Sequence, residues 1–466
     1  MSKSGKKKEP AYLDPNAVKA VFRPHGLTDN MLEVQLSVGQ RAVQALGFGD
    51  FARVIGSPQS GKTTALKALF LELAKQDGPD SIMVFAGNRT SAATLRDELA
   101  LAFQGASSGP MARTIPSLAF AILREHALQN KTKLPELITG SEQDAIIEDI
   151  LSEVADGALV TPAFPKGLTK QSLRLRGVRA EIRELISVAI EHDISAEGLA
   201  ALAAKHGEEV WAWGASIYDV YLRELAEKYN LHRFDPTSLV VEATRLITDG
   251  KADSLLAEIR IVLVDDAQEL TPATTNFLRA LCARGASAVL FGDPDVATLG
   301  FRSGDPEAMT RLVVEFAAMA KVEPKLIAIE ARAGAHSDGI AAALSKVTER
   351  IGAALAGTQR APISVTEGVA GIEAAAFALR GDEHAWLARR LRDEHLNQGV
   401  AWRDMAVVAR SADELVELEA ALAAESVPIR LLGAKAALKD QFASASLLHL
   451  IEAVLSDSEI EYPKAV

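Results

Sequence analysis

The stretch Gly56-Ser57-Pro58-Gln59-Ser60-Gly61-Lys62-Thr63 fits the pattern G-x-x-x-x-G-K-[ST]. An apolar run at 51–55 precedes it, and a run with helical spacing at 63–75 follows it. In this strand–loop–helix order, backbone N–H groups of the loop and of the helix N-terminus bind phosphate oxygens. The Lys62 ammonium can reach the terminal phosphates, and the Thr63 hydroxyl can hold Mg²⁺. We therefore predict an ATP·Mg²⁺ site whose loop residues are Gly56, Ser57, Gln59, Ser60, Gly61, Lys62, Thr63 and Thr64.

A second apolar run, at 261–264, ends in two carboxylates, Asp265 and Asp266. Ligands of an open parallel sheet bind at the carboxyl ends of its strands, so these carboxylates are expected to face the phosphate loop. We predict that Asp265 binds Mg²⁺ through water and that Asp266 accepts a proton from the attacking water. Taken alone, the pair fits an ordinary acidic turn after a strand equally well, and the phosphate loop is what favours the functional interpretation.

Short apolar runs alternate with longer amphipathic runs along most of the chain. The predicted strands are 51–55, 82–86, 261–264, 288–291, 326–329 and 405–409, and the predicted helices between them include 63–75, 92–103 and 274–283. Several of the strands are apolar throughout, which is typical of parallel strands covered on both faces. The pattern predicts an α/β fold with a parallel sheet.

The alternation of short and long runs also divides the chain into parts. Residues 120–245 are rich in Ala, Leu, Glu and Arg with helical spacing, and they predict an all-helical insertion. Residues 31–119 and 246–345 would then form the first α/β domain, after a basic disordered tail and lead-in at 1–30. Residues 346–466 would begin a second α/β domain with too few strands to close a sheet. We therefore expect the chain to be a portion of a longer protein.

Composition and charge limit the classes of protein that the chain can represent. Hydrophobic residues make up 48% and charged residues 24%, so a large core can be buried. No apolar run approaches the ~18–20 residues of a membrane-spanning helix, and no secretory signal starts the chain. The single cysteine, Cys282, precludes a disulfide within the chain and fits the cytoplasm. The net charge of −12 argues against binding nucleic acid by bulk charge, although a local basic groove is compatible with it.

Six segments resemble, in order, the motifs of superfamily 1 DNA helicases related to UvrD and RecB. Gln40 in LSVGQ (36–40) looks like the family's adenine-reading glutamine, and TIPSLAF (114–120) is similar to its T-x-H-S-[FM] motif. DDAQ (265–268) resembles D-E-x-Q. GDPD (292–295), followed by Phe301-Arg302, resembles G-D-x-D-Q…[WF]-R-G. Arg332 in IEAR (329–332) falls where the family has its N-Y-R arginine, and AVVAR (406–410) resembles the A-V-L-x-R strand.

The resemblance implies a motor in which two RecA-like domains close on ATP and move 3′-to-5′ along single-stranded DNA. Gln40 and Gln268 would belong to the nucleotide site, and Arg332 would stabilise charge on the transferred phosphoryl group. Phe301 would stack on a base. The other residues implied in DNA contact are Thr114, Ser117 and Arg302.

The DDAQ box and the helical insertion look most like AdnA and AdnB, the paired subunits of an actinobacterial helicase–nuclease. That likeness implies a helicase subunit acting in double-strand break repair and recombination. Its partners would be single-stranded or duplex-end DNA and a second helicase–nuclease subunit, with no membrane.

Several positions depart from the family pattern. Asp266 stands where the family has glutamate and is one methylene shorter, which changes its reach to water by about 1 Å. Val296 replaces a glutamine that senses the γ-phosphate, and Ala331 replaces a tyrosine that stacks on adenine. Pro116 and Leu299 replace a histidine and an aromatic residue on the DNA side. These departures predict ATP binding with slow hydrolysis.

A basic stretch lies inside the helical insertion. From Lys166 to Arg183 it carries six basic residues against the single acid Glu181, a net charge of +5. We predict that Arg174 and Arg176 contact the DNA backbone. A solvated helix face, or one paired with acids elsewhere, explains the stretch equally well.

Three functions compete at this point. The first is an ATP-dependent helicase subunit. The second is a degenerate motor that binds DNA, with or without ATP, as the structural partner of an active helicase subunit. The third is a nucleotide-dependent switch that does not bind DNA, against which the Phe301-Arg302 and Arg332 placements argue.

Overall fold

The computed structural model describes residues 36–229, 232–298, 303–330 and 373–430, together with Gly300 and scattered positions between 340 and 351. These residues form two compact units, one on each side of the Gly371–Ile372 bond. Within the described residues, no helix combines the length and the apolar character needed to cross a membrane.

Six parallel strands in the first unit form one sheet, in the order β3-β2-β6-β7-β1-β8. The strands are β1 (Ala52–Ile55), β2 (Ile82–Phe85), β3 (Ala112–Arg113), β6 (Ile261–Val264), β7 (Ser287–Gly292) and β8 (Lys325–Ala328). Ile55 of β1 pairs with Gly292 of β7, and Phe85 of β2 pairs with Val264 of β6. The α/β fold with a parallel sheet is therefore confirmed, and the strand ends that carry the predicted site residues lie on one edge.

Helices cover both faces of this sheet. The helices described between residues 36 and 330 are α1 (Val38–Gln44), α2 (Lys62–Asp77), α3 (Arg89–Phe103), α4 (Ile115–Asn130), α5 (Gly140–Asp156), α6 (Arg176–Glu191), α7 (Ala196–His206), α8 (Glu209–Tyr229), α9 (Pro236–Thr248), α10 (Asp253–Leu256), α11 (Pro272–Ala283) and α12 (Ala308–Ala320). Alternate residues of β6 enter opposite cores, because successive strand side chains point to opposite faces. Val262 packs with α4, α9, α11 and α12, whereas Leu263 packs with α1, α2 and α3.

A third core lies within the predicted insertion. It is formed by apolar residues of α5, α6, α7 and α8, with Trp213 and Tyr221 fully buried at its centre. The flanking helices α4 and α9 pack instead in the core of the sheet. The insertion is not entirely helical, because the two-residue strands β4 (Glu136–Leu137) and β5 (Arg233–Phe234) pair in parallel. Their brevity explains why the helical spacing of the sequence did not indicate them.

The described residues of the second unit, 373–430, contain two helices, α13 (Arg380–Gln398) and α14 (Ala412–Ala424). Ala388, Leu422 and Val427 form a small core there. The prediction of a strand at 405–409 was wrong, since no strand is present among the described residues of this unit. A strand needs a neighbour to pair its N–H and C=O groups, and Val408 is 91% exposed.

Candidate functional site

The phosphate loop joins the end of β1 to the start of α2. The Lys62 ammonium donates hydrogen bonds to the carbonyl oxygens of Gly56, at 2.7 Å, and of Ser57, at 3.0 Å. Burial lowers the pKa of Lys62, and the nearby Asp293, Asp265 and Asp266 oppose that shift. The Lys62 side chain is thus folded over the loop and bonded to loop carbonyl groups. Its positive charge lies near the three carboxylates.

Two glycines give the loop its shape. Gly61, which caps α2, has a φ of +92°, a region that favours glycine. A Cβ on Gly56 would lie 2.4 Å from the Ser60 hydroxyl oxygen, so that position has no room for a side chain. The backbone therefore curls in the way that a phosphate-binding loop requires, and any side chain at either position would disturb it.

Gln40 supports the loop from the side. Its amide nitrogen donates to the Gly61 carbonyl oxygen at 3.1 Å, and its amide oxygen accepts from the Ser37 N–H at 2.9 Å. A Cβ on Gly61 would come within 2.3 Å of the Gln40 amide nitrogen. The sequence pattern did not indicate this contact, and the adenine contact of Gln40 stays a prediction.

Thr63 and Asp265 join the loop to the end of β6. The Thr63 hydroxyl donates to a carboxylate oxygen of Asp265 at 2.9 Å, and the Asp265 side chain is buried, with the residue 9% exposed. Burial, assisted by the neighbouring Asp266 carboxylate, raises the pKa of Asp265 to about 6. A hydroxyl and a carboxylate side by side are the oxygen ligands that Mg²⁺ prefers, so the two residues predicted to hold the metal fit it.

Gln268 connects Asp266 to the end of β7. Its amide nitrogen donates to an Asp266 carboxylate oxygen at 3.3 Å, and its amide oxygen accepts from the Asp293 N–H at 3.1 Å. A Cβ on Gly292 would lie 2.6 Å from that amide oxygen, so glycine is needed there. Asp266 itself has a φ of +53°, which aspartate tolerates better than most residues. The predicted base is therefore held by backbone and side chain together.

Two acidic residues that were not among the predicted site residues contribute to this region. Asp293 is only 2% exposed and lies near enough to Lys62 to affect its pKa. Glu269 accepts hydrogen bonds from the Thr298 N–H, at 2.8 Å, and from its hydroxyl, at 2.9 Å. The G-D-P-D segment was a signal for Asp293, whereas nothing in the sequence pattern indicated Glu269.

The predicted DNA-contact segment borders a cleft of about 650 Å³ beyond β2 and β3. Its lining includes Thr114, Pro116 and Ser117 and the three arginines Arg89, Arg96 and Arg113. The Thr114 hydroxyl also caps α4 by accepting from the Ser117 N–H at 3.3 Å. The cleft combines positive charge with hydroxyl groups, as a phosphate backbone requires.

A smaller cleft adjoins the DNA-contact segment and the acidic edge of the sheet. Thr114 and Pro116 line both clefts, and the smaller one is also lined by Asp265, Asp266 and Glu269. A Cβ built on Gly87, in the loop before α3, would lie 3.4 Å from the Asp266 Cβ. The predicted base and the predicted DNA-contact segment are therefore immediate neighbours.

Three of the six basic residues in the basic stretch of the insertion pair with acids of α5. Arg174 forms an ion pair with Asp156 at 2.7 Å, Arg179 pairs with Glu148 at 2.6 Å, and Arg183 pairs with Asp144 at 3.2 Å. The pairing alternative thus holds for these three arginines. The Arg174–Asp156 pair is exposed, and an exposed pair contributes about 0–1 kcal/mol, so a phosphate could still displace Asp156. DNA contact by Arg174 and Arg176 stays a prediction.

Five predicted or discussed positions lie outside the described residues, namely Leu299, Phe301, Arg302, Ala331 and Arg332. Val296, at the end of the short helix Pro294–Val296 that follows β7, is described and is 39% exposed. Its side chain offers no hydrogen bond, whereas the resemblance implies a glutamine at this place.

Comparison with known proteins identifies the family. The family model of the UvrD/REP helicase N-terminal domain matches residues 36–317, which is more than half of the chain. No curated protein matches the chain. The matched range contains the phosphate loop, both carboxylates and the cleft beyond β2 and β3, and helicases of this family use ATP and usually Mg²⁺. The chain belongs to the UvrD/REP helicase family, of which it carries the N-terminal domain.

Proposed function

We propose that the chain is the ATP-hydrolysing motor part of a helicase that moves 3′-to-5′ along single-stranded DNA. The observation that carries the proposal is the shared cleft in which Thr114 and Pro116 lie beside Asp265 and Asp266. A motor must connect a DNA contact to a catalytic base, and a short physical path is the simplest connection. The family match supports the helicase class to which this motor would belong.

The nucleotide would bind with its phosphates over the loop at 56–63. Lys62 would exchange its two carbonyl partners for the terminal phosphates, and the N-terminus of α2 would add its positive dipole. Thr63 and Asp265 would hold Mg²⁺, which neutralises charge on the phosphates when bound. Asp266, oriented by Gln268, would take a proton from the attacking water. Arg332 would stabilise charge on the transferred phosphoryl group.

Single-stranded DNA would cross the arginine-lined cleft. Arg89 and Arg113 would contact its phosphates, with Thr114 and Ser117 as hydrogen-bonding neighbours. Burial lowers the pKa of Arg113, whose pairing with a phosphate would offset that cost. Phe301 and Arg302 would add a stacking contact that tolerates any base.

The setting of this activity belongs to the same proposal. The motor would work in the cytoplasm in double-strand break repair and recombination, with residues 346–466 beginning a second RecA-like domain. Its partner would be a second helicase–nuclease subunit of the AdnA/AdnB kind. The DDAQ box and the helical insertion are the features that support this setting.

The test is ATP hydrolysis with and without single-stranded DNA by wild type, Lys62→Ala and Lys67→Ala. Lys67 is a matched control, because it lies on the same helix and pairs with Glu98 at 3.1 Å, away from the loop. We expect DNA to raise the rate in wild type and in Lys67→Ala, and Lys62→Ala to be inactive. Equal rates in wild type and Lys62→Ala would refute the proposed role of the loop.

Two features favour the degenerate motor as a second candidate. Val296 gives the end of β7 an exposed apolar side chain instead of a γ-phosphate sensor, and Asp266 is shorter than the usual glutamate. A clamp of this kind would bind DNA without hydrolysing ATP. Tight DNA binding with no ATP turnover in the same assay would select this candidate.

A further inference from the structure

Glu191 is the last residue of α6, and its carboxylate is buried where the helical insertion meets α9 and α11. The residue is 9% exposed. One carboxylate oxygen accepts from the Ala273 N–H at 2.9 Å, and the other accepts from the Thr237 hydroxyl at 3.2 Å. Ala273 lies in the first turn of α11, and Thr237 lies in the first turn of α9.

The surroundings explain how a buried carboxylate is tolerated there. A helix N-terminus carries partial positive charge and unpaired N–H groups. Glu191 accepts such an N–H from α11 and a side-chain hydroxyl from the first turn of α9. In the absence of the carboxylate, the buried Ala273 N–H would lose its acceptor. The carboxylate therefore satisfies a buried backbone donor, which an apolar residue of the same size could not do.

Glu191 lies at the border between two hydrophobic cores. Its helix α6 belongs to the insertion core, whereas α9 and α11 belong to the core of the sheet. Val241 of α9 packs against both cores and supplies an apolar contact at the same border. The carboxylate is thus a polar link, and Val241 an apolar link, between the insertion and the sheet.

The segment that leads into α11 begins at the ATP site. Residues 265–271 run from the Mg²⁺-binding carboxylate to the Thr271 cap of α11. Along this segment Gln268 binds the Asp293 N–H, and Glu269 binds Thr298. A shift of the α11 N-terminus would therefore move Asp266 relative to the phosphate loop, and a misplacement of about 1 Å is enough to slow catalysis strongly.

We propose that Glu191 is a positioning residue that couples the helical insertion to the ATP site through the N-terminus of α11. DNA held against the insertion shifts α6, and Glu191 passes that shift to the segment that carries Asp266. This inference rests on the proposed function, since it concerns stimulation of ATP turnover by DNA. The inference goes beyond the proposed function because it assigns a role to Glu191, a residue outside the proposed ATP and DNA sites.

The experiment compares wild type, Glu191→Gln, Glu191→Ala and Val241→Ala. Each is assayed for kcat and KM for ATP without DNA, for kcat with saturating single-stranded DNA, and for DNA affinity. Glutamine keeps one oxygen for the Ala273 N–H, so this variant also guards against a loss of folding in Glu191→Ala. Val241→Ala is the matched control, because it weakens the same border and leaves the carboxylate in place.

We expect Glu191→Ala to keep its basal kcat, KM and DNA affinity within about twofold and to lose at least about fivefold of its DNA stimulation, the low end of coupling between sites. Glu191→Gln should recover part of the stimulation, and Val241→Ala should keep it. Full stimulation of both Glu191 variants, or an equal loss in Val241→Ala, would overturn the inference. Absence of DNA stimulation in wild type would instead overturn the proposed function, and the inference with it.

Discussion

Gln268 bridges Asp266 and the Asp293 N–H, and its substitution tests whether this bridge stabilises the fold and positions the proposed base. Methionine at this position keeps the volume of the side chain and removes both hydrogen bonds. The Asp293 N–H is buried, and leaving such a donor without an acceptor costs about 1–3 kcal/mol. At about 2–4 °C per kcal/mol for a large domain, the melting temperature of Gln268→Met should fall by about 2–12 °C.

The same substitution frees the Asp266 carboxylate from its amide donor. We expect kcat for ATP hydrolysis to fall by about 10- to 100-fold, because a displaced base acts poorly, while nucleotide affinity stays within about twofold. The assays are thermal unfolding, steady-state hydrolysis and nucleotide titration. Gln129→Met is the control, since Gln129 is exposed and binds Glu125 away from the site. A Gln268→Met protein with wild-type stability and wild-type kcat would refute the reasoning.

Three further predictions concern other parts of the chain. Burial raises the pKa of Cys282 to about 12, so a thiol reagent at pH 8 should label none of the folded protein and one thiol after denaturation. The pKa of Asp265 is raised from 3.8 to about 6, so the folded state keeps a proton that the unfolded chain has lost. The unfolding free energy of the Mg²⁺-free protein should therefore fall as the pH rises through that window, and Asp265→Asn should flatten the curve measured by denaturant titration. Arg176→Glu should weaken DNA binding at every sequence and reduce the salt slope by about 1, and Arg174→Glu should have a smaller effect because Arg174 is already paired with Asp156. If both variants bind DNA as tightly as wild type at low salt, the basic stretch does not contact DNA.

The fold could be predicted wherever a local sequence pattern, such as a continuous apolar run, is sufficient to indicate an element. The run at 261–264 coincides with β6 because a strand buried on both faces must be apolar throughout. The edge strand β3 was missed, since its two residues gain their strand character only by pairing with β2. The run at 405–409 has strand-like composition, yet composition cannot supply the neighbour that a strand needs.

For the site, the sequence was sufficient to predict which strand ends lie next to each other. Thr63 and Asp265 were both predicted to hold Mg²⁺, and a strand-end rule is enough to bring them together. The bonds of Gln40 to Gly61 and of Gln268 to Asp293 were not predictable, because they depend on side-chain rotamers and on tertiary packing. The ion pairs of the basic stretch depend in the same way on how α5 packs against α6.

Directional movement on DNA is the most direct test of the central claim. Single-stranded DNA with biotin at its 5′ or its 3′ end is bound to streptavidin, and ATP-driven release is timed for wild type and Lys62→Ala. A 3′-to-5′ motor built on this loop predicts faster release from the 5′ end, which Lys62→Ala abolishes. Binding of both ATP and DNA with no release from either end would contradict the account.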